Sequence, residues 1–431
     1  MFSPESEGSM QIGVYGTGYL GTVAAACLAD FGTPVTVFDE DSSRVAALAE
    51  GNTPFYERNL KDILRRNLRA ARLTYSIDLA SFAQKSQIIF FAADSYRYIE
   101  EISEQIARES ENNTIFVIMT PVPVGTAARI EKRVEGQEKK IVIVSQPVFL
   151  TDGCAVEDFN WPDRIVLGTN SNQAVLLLKQ VFRPLVMRGV PVIVTNHETA
   201  ELVREASTAF VATKISFINE LASLCEHVNA DAVDLALALG LDKKIAPRCL
   251  QPGAGFGGPF VEADMDSLAQ LALGKGISLR ILTAAREVNR SLTDRVVEKL
   301  SRLVEPVAGK DVGILGLAFK PNTNSVAASS SIDLARRLLA RGARVRAYDP
   351  VAIPDAKVEL DGAVDYCENA YDAAQGVDAL VISTGWPEFR ALDFDKIKRL
   401  VRQPIIIDTK NLLDSTRLRT LGFQYVGIGR A

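Results

Sequence analysis

The chain has 431 residues, a net charge of −5, 47% hydrophobic and 23% charged residues, and two histidines. That length implies two to three domains, and interspersed charge argues against nucleic acid as the main partner. No stretch approaches the ~18 consecutive apolar residues of a membrane-spanning helix, and five scattered cysteines without metal or disulfide spacing point to a reducing cytoplasm and no metal site.

Residues 1–10 are expected to form a loose tail. Residues 11–15 (QIGVY) predict a buried strand, followed by Gly16-Thr-Gly18-Tyr19-Leu20-Gly21, an apolar helix, a second strand over 35–38, and Asp39. Strand, G-x-G-x-x-G, helix, strand and acid is the order that binds a dinucleotide, with the glycines allowing the diphosphate close to the backbone and the helix N-terminus facing it. Asp39 suits ribose hydroxyls and repels a 2′-phosphate, which favours NAD over NADP. Tyr19, Leu20 and Arg44 are assigned to the cofactor with these residues. The alternative is a glycine-rich turn that binds no dinucleotide.

Further strands are predicted over 86–92, 113–119 and 141–144, and PVPVGT (121–126) is a turn opening a helix. Residues 172–194 add a helix–strand unit. From 198 to 228 the apolar spacing predicts one uninterrupted helix, about 45 Å long at 1.5 Å per residue, as a spine and dimer surface. Helices follow over 231–239, 264–272 and 281–303, with PGAGFGGPFVEADMD (252–266) between the first two. A linker at 305–310 leads to a second strand–loop–helix–strand layout over 311–349, without the fingerprint. The expected fold is therefore α/β: two Rossmann-like doubly wound domains (11–197 and 305–431), joined by a long central helix and a helical middle domain (198–304).

GTGYLG, PVPVGT, FLTDGCAVEDF, WPDRIVLGT, AELVREASTAF, FINEL, PGAGFGG and LGLAFKPNT together resemble the UDP-glucose/GDP-mannose dehydrogenase family over nearly the whole chain. The resemblance implies an NAD-dependent oxidoreductase acting on a nucleotide-linked sugar, a UDP-sugar above all, and a homodimer built on the long helix. It places Phe149, Leu150, Lys244, Gly255, Phe256, Gly257, Gly258, Phe260 and Lys320 in the sugar-nucleotide site.

It also marks departures. After the Gly-Gly pair the family continues Ser-Cys-Phe-Pro-Lys-Asp, where this chain has Pro259-Phe260-Val261-Glu262-Ala263-Asp264, so Phe260 stands at the position of the nucleophilic thiol. Arg204 and Thr208 replace the family's Lys and Asn, one helical turn apart. Val148 replaces the Glu that aids hydrolysis, and AADSYRY (92–98) replaces the strand end with its Thr-Pro cofactor contact. Cys249, eleven residues before Phe260, is expected to be a buried packing residue. An oxidation through a thioester needs a thiol, so a two-electron alcohol oxidation is expected, with Arg204 stabilising the alkoxide and Asp264 or Glu262 managing the proton; Thr208 is counted with them as a catalytic position. A catalytically inactive binding homologue with a regulatory or scaffolding role remains open.

Overall fold

The structure, a computed structural model, describes residues 10–137 and 139–430. The tail expected over 1–10 lies outside the described residues except for Met10. The chain divides into two compact units, Met1–Glu205 and Ala206–Ala431.

The first unit is built on β1 (Ile12–Tyr15), β2 (Val35–Phe38), β3 (Leu73–Ser76), β4 (Ile88–Phe91), β5 (Ile115–Ile118), β6 (Val142–Ser145), β7 (Ile165–Gly168) and β8 (Val192–Thr195). Their order in the sheet is β3-β2-β1-β4-β5-β6-β7-β8. All neighbours are parallel except β6 and β7, which meet antiparallel at Ser145 and Gly168. Strands β4 and β5 (IIFF and IFVI) are buried at every position, as strands covered by helices on both faces must be. Tyr15 is level with Phe38 on one side and Phe91 on the other. The loops after β1, β2 and β4 therefore leave the sheet at one height and carry Gly16, Asp39 and Asp94.

The second unit contains β9 (Asp311–Leu315), β10 (Arg344–Tyr348), β11 (Asp365–Tyr366), β12 (Ala379–Ile382), β13 (Ile405–Asp408) and β14 (Gln424–Gly427), all parallel, in the order β11-β10-β9-β12-β13-β14. This repeats the first six positions of the other sheet and is the doubly wound order. At the end of β10, Asp349 Oδ2 accepts from the amides of Leu317 and Ala318 and from Trp386 Nε1, while Oδ1 accepts from the amides of Val351 and Ala352.

The helix predicted over 198–228 is His197–Val228, 32 residues long, and the boundary between the units falls within it. The helix predicted over 264–272 is Val261–Leu273. Its earlier start puts Glu262 and Asp264 in the first turn, where the helix dipole favours acid. Ala209, Ala212, Met265, Leu282 and Ala285 form a small core joining this helix to the long helix and to Arg280–Leu303. Among the described residues no helix is long and apolar enough to cross a membrane, and no group of three or more His, Cys, Asp or Glu could hold a metal ion.

Candidate active site

The first site element is the turn between β1 and the helix Tyr19–Asp30. Gly16 has φ +112°, a conformation that only glycine adopts without strain. A Cβ on Gly21 would lie 2.1 Å from the Gly16 carbonyl oxygen, and one on Gly18 would lie 1.8 Å from Asp94 Oδ2. Asp39 folds back on this turn: its Oδ2 accepts from the Thr17 amide at 2.8 Å and from Thr17 Oγ1 at 2.6 Å, and its Oδ1 from the Asp41 amide at 2.9 Å. A carboxylate has about four acceptor positions, so Asp39 keeps capacity for a ribose hydroxyl. Arg44 Nε donates to Asp41 Oδ2 at 2.7 Å, and that contact raises its pKa.

Tyr19 and Leu20 direct their amides at the Asp94 carboxylate, and their side chains point elsewhere. Tyr19 donates its hydroxyl to the buried Glu57 and accepts from the Gly153 amide at 3.1 Å; burial, then Glu57, push the phenol far above its usual range. Leu20 is buried in the core. Glycines without room for a Cβ, a helix N-terminus and an acid at the end of β2 fit a dinucleotide. Gly16, Gly18 and Gly21 would let its diphosphate approach, and Asp39 would hold the ribose.

A second carboxylate, Glu201, was not apparent from the sequence. It is buried in the first turns of the long helix and accepts from the amides of Gly125 at 2.6 Å and Ala127 at 2.8 Å, capping the helix Thr126–Val134. Burial raises its pKa and the two amides oppose the shift. The available clue was that the helix opens on Gly125 with no capping side chain of its own.

The stretch from Pro252 to Gly258 is held by three asparagines that the sequence did not single out. Asn219 Oδ1 accepts from the Gly253 amide at 2.8 Å; Asn289 bonds both the amide and carbonyl of Phe256, at 2.9 and 3.1 Å; Asn411 donates to the Pro252 carbonyl at 3.2 Å. Lys410 packs beside Gly253, its ammonium pushed down to about 8 by burial, against the pull of Asp408.

A Cβ on Gly257 would lie 2.4 Å from the Ala328 carbonyl oxygen, and one on Gly258 would lie 2.8 Å from the Phe319 ring. These two glycines therefore admit the chain's own 319–328 loop, which gives them a structural cause beyond the ligand approach anticipated. Lys320 is half-buried, with Nζ 5.8 Å from the Phe319 ring centroid.

The structure brings two of the expected catalytic residues together. Thr208 Oγ1 donates to Asp264 Oδ2 at 2.9 Å, and Asp264 is only 6% exposed. Arg204 lies one helical turn before Thr208 on the same helix. Glu262 is instead held by Arg286 Nη2 at 3.1 Å, with Arg290 at 3.9 Å, an ion pair that competes with service as a base. Phe256 packs on the Met265 core, and Phe260, just before the helix, is 37% exposed. Arg164 stacks 3.8 Å above the Phe149 ring, Leu150 lies against the first unit's core, and Lys244 is exposed. Cys249 is exposed, contrary to the buried role expected for it, on a backbone with φ +64°. It lies in a turn eight residues past the end of the helix Ala232–Leu241, where its side chain faces solvent.

Family models for the NAD binding, central and UDP binding domains of the UDP-glucose/GDP-mannose dehydrogenase family match residues 10–186, 198–291 and 313–415. The chain belongs to the UDP-glucose/GDP-mannose dehydrogenase family. It is 36% identical over 432 residues to UDP-glucose 6-dehydrogenase TuaD of Bacillus subtilis, covering 97% of this chain and 93% of the relative. It is 35% identical to the UDP-glucose 6-dehydrogenase of Rhizobium meliloti, covering 98% and 100%. A solved UDP-glucose dehydrogenase from Pyrobaculum islandicum is similar over 100% of both chains, with a TM-score of 0.90 and 30% identity. As a member of this family the protein is an NAD-dependent nucleotide-sugar dehydrogenase, with one sheet in its NAD binding domain and the other in its UDP binding domain.

Proposed function

We propose that this dehydrogenase oxidises one alcohol carbon of a UDP-linked sugar in a single two-electron step, stopping at the carbonyl. The observation that carries this is the composition of one helix start. Phe260 occupies the position where the family resemblance puts a thiol, while Asp264, four residues on, is buried against the Thr208 hydroxyl. No cysteine lies between Pro252 and Asp266 to form a thiohemiacetal, and the second oxidation depends on one.

When bound, NAD supplies the hydride acceptor. The residues of the chain have the alcohol proton to manage. As the substrate O–H bond breaks, its proton passes to Thr208 Oγ1 while the Thr208 proton passes to Asp264 Oδ2, which leaves the hydroxyl restored and the acid protonated. Arg204, charged at all working pH values, stabilises the alkoxide from the same face of the helix. Gly255, Phe256, Gly257, Gly258, Phe149, Leu150, Lys244 and Lys320 are assigned to the sugar nucleotide, and Gly16, Gly18, Gly21 and Asp39 to NAD.

The active form is proposed to be a homodimer. Phe210, Phe217 and Leu224 are 68%, 52% and 56% exposed. They recur every seven residues, close to two helical turns, and so form one apolar stripe. Sedimentation should give a dimer mass, reduced to the monomer by Phe217→Asp.

The test of the reaction is stoichiometric. With limiting UDP-, GDP- and dTDP-sugars and excess NAD⁺, we expect one NADH per sugar and an aldehyde or ketone trapped by hydroxylamine. Two NADH per sugar would overturn the two-electron assignment. Nucleotide-sugar binding with no NADH at all would favour the binding homologue.

A further inference from the structure

The diphosphate end of the first sheet carries an acidic side chain with no place in the reaction above. Asp94 lies in the loop after β4. Its Oδ2 accepts from the Tyr19 amide at 3.3 Å, and its Oδ1 faces the Leu20 amide at 3.5 Å. A Cβ placed on Gly18 would lie 1.8 Å from Oδ2, 2.2 Å from Cγ and 2.5 Å from Oδ1, so the whole carboxylate sits over the Gly18 backbone. Gly18 is the N-cap of the helix Tyr19–Asp30 and contributes no capping side chain.

These amides are the donors with which a helix N-terminus holds an anion. Both contacts exceed the usual 2.7–3.2 Å of an N–H···O bond, so the hold is loose. Asp94 is an exposed residue. Partial desolvation against the turn, then Asp39, push its carboxyl above the ordinary carboxylate range, while the two amides and Arg44 pull it down.

We propose that Asp94 is an internal competitor for the NAD diphosphate seat: it occupies the helix N-terminus through Tyr19 and Leu20, and NAD binds by displacing it. The inference rests on the assignment of the Gly16–Gly21 turn to NAD. Two anions cannot share one set of donors without strong mutual repulsion. The glycine that makes room for a diphosphate here makes room first for the chain's own carboxylate. Asp94 thereby sets the affinity for cofactor without touching the sugar.

The experiment is calorimetric titration of NAD⁺ into the full chain and into Asp94→Asn and Asp94→Ala. Asn keeps the size and a capping oxygen, so the Asn variant separates charge from folding, and thermal unfolding of all three checks the fold. Adenosine, which has no phosphate, is the control ligand. We expect the NAD⁺ Kd to fall by roughly tenfold or more in both variants, a factor within reach of one partly screened charge, with adenosine affinity unchanged. An NAD⁺ affinity equal to or weaker than that of the unaltered chain in Asp94→Asn would overturn the competitor role and leave the NAD assignment standing. An equal gain for adenosine would also overturn it. Failure of all three proteins to bind NAD⁺ would overturn the cofactor assignment itself, and this inference with it.

Discussion

Replacing Thr208 by Val separates the structural and chemical roles of the buried pair. The substitution keeps the branched shape and removes only the hydroxyl that donates to Asp264 Oδ2 at 2.9 Å. A hydrogen bond to a charged group contributes about 1.5–3 kcal/mol, and Asp264, at 6% exposure, has little water to replace it. At about 2–4 °C per kcal/mol for a domain of this size, Tm should fall by roughly 3–12 °C. If the hydroxyl also relays the proton, kcat should fall by about 10²–10⁴. Thermal unfolding and NADH formation under saturating substrate measure the two effects on one preparation. Thr208→Ser, which restores the hydroxyl, should recover most of the turnover. A Val variant with lowered Tm and a kcat within about threefold of the parent would refute the relay and leave Thr208 a purely structural partner.

Three other outcomes are expected. Gly257→Ala puts a Cβ 2.4 Å from a backbone oxygen, that of Ala328; overpacking of this kind should cost about 1–3 kcal/mol, seen as a lower denaturation midpoint. Alkylation of the native protein should modify the exposed Cys249 first and spare Cys27, which is buried and pushed up to about 12 by desolvation, and turnover should survive labelling of Cys249. The Asp94 carboxyl titrates above its ordinary range in the free protein, and the charge of a diphosphate seated beside the displaced carboxylate disfavours its charged form, so NAD binding should take up a proton. Affinity should therefore rise as pH falls through the Asp94 pKa, and the Asp94→Asn variant should show a flatter profile over the same range.

Much of the architecture was legible because it rests on local signals. Residues 11–39 state their strand, turn, helix and acid in sequence order, and the 32-residue helix is a continuous amphipathic pattern without Gly or Pro. The edge strands β3 (LTYS), β11 (two residues) and β14 were not legible. β11 is too short to show a pattern and, like β3, is partly polar, so the pairing of these two depends on the neighbouring strand rather than on their own sequence. The same distinction runs through the site. Asp264 and Thr208 could be named from their motifs, but the three asparagines that hold Pro252–Gly258 are remote in sequence, and only the tertiary fold makes them partners. Asp94 was hidden for another reason: its segment stood out as unusual, but nothing in its composition tells that its carboxylate lies over Gly18. Glu262 read as a candidate base until its neighbours Arg286 and Arg290, a helix away, became visible.

The two sheets share one strand order, and each ends its second strand in an aspartate, yet the two acids have different futures under mutation. Asp349 already serves five donors, including the indole of Trp386, more than a carboxylate's complement of about four acceptor positions. Transplanting a glycine fingerprint into the 316–321 turn would therefore not create a second cofactor site, because the acid that should greet the ribose is locked into its own architecture. A redesign would have to evict Trp386 and rebuild the turn at once. Two changes, each harmful alone, form a barrier that stepwise variation does not easily cross, and it keeps the two halves of a chain of similar design committed to different ligands.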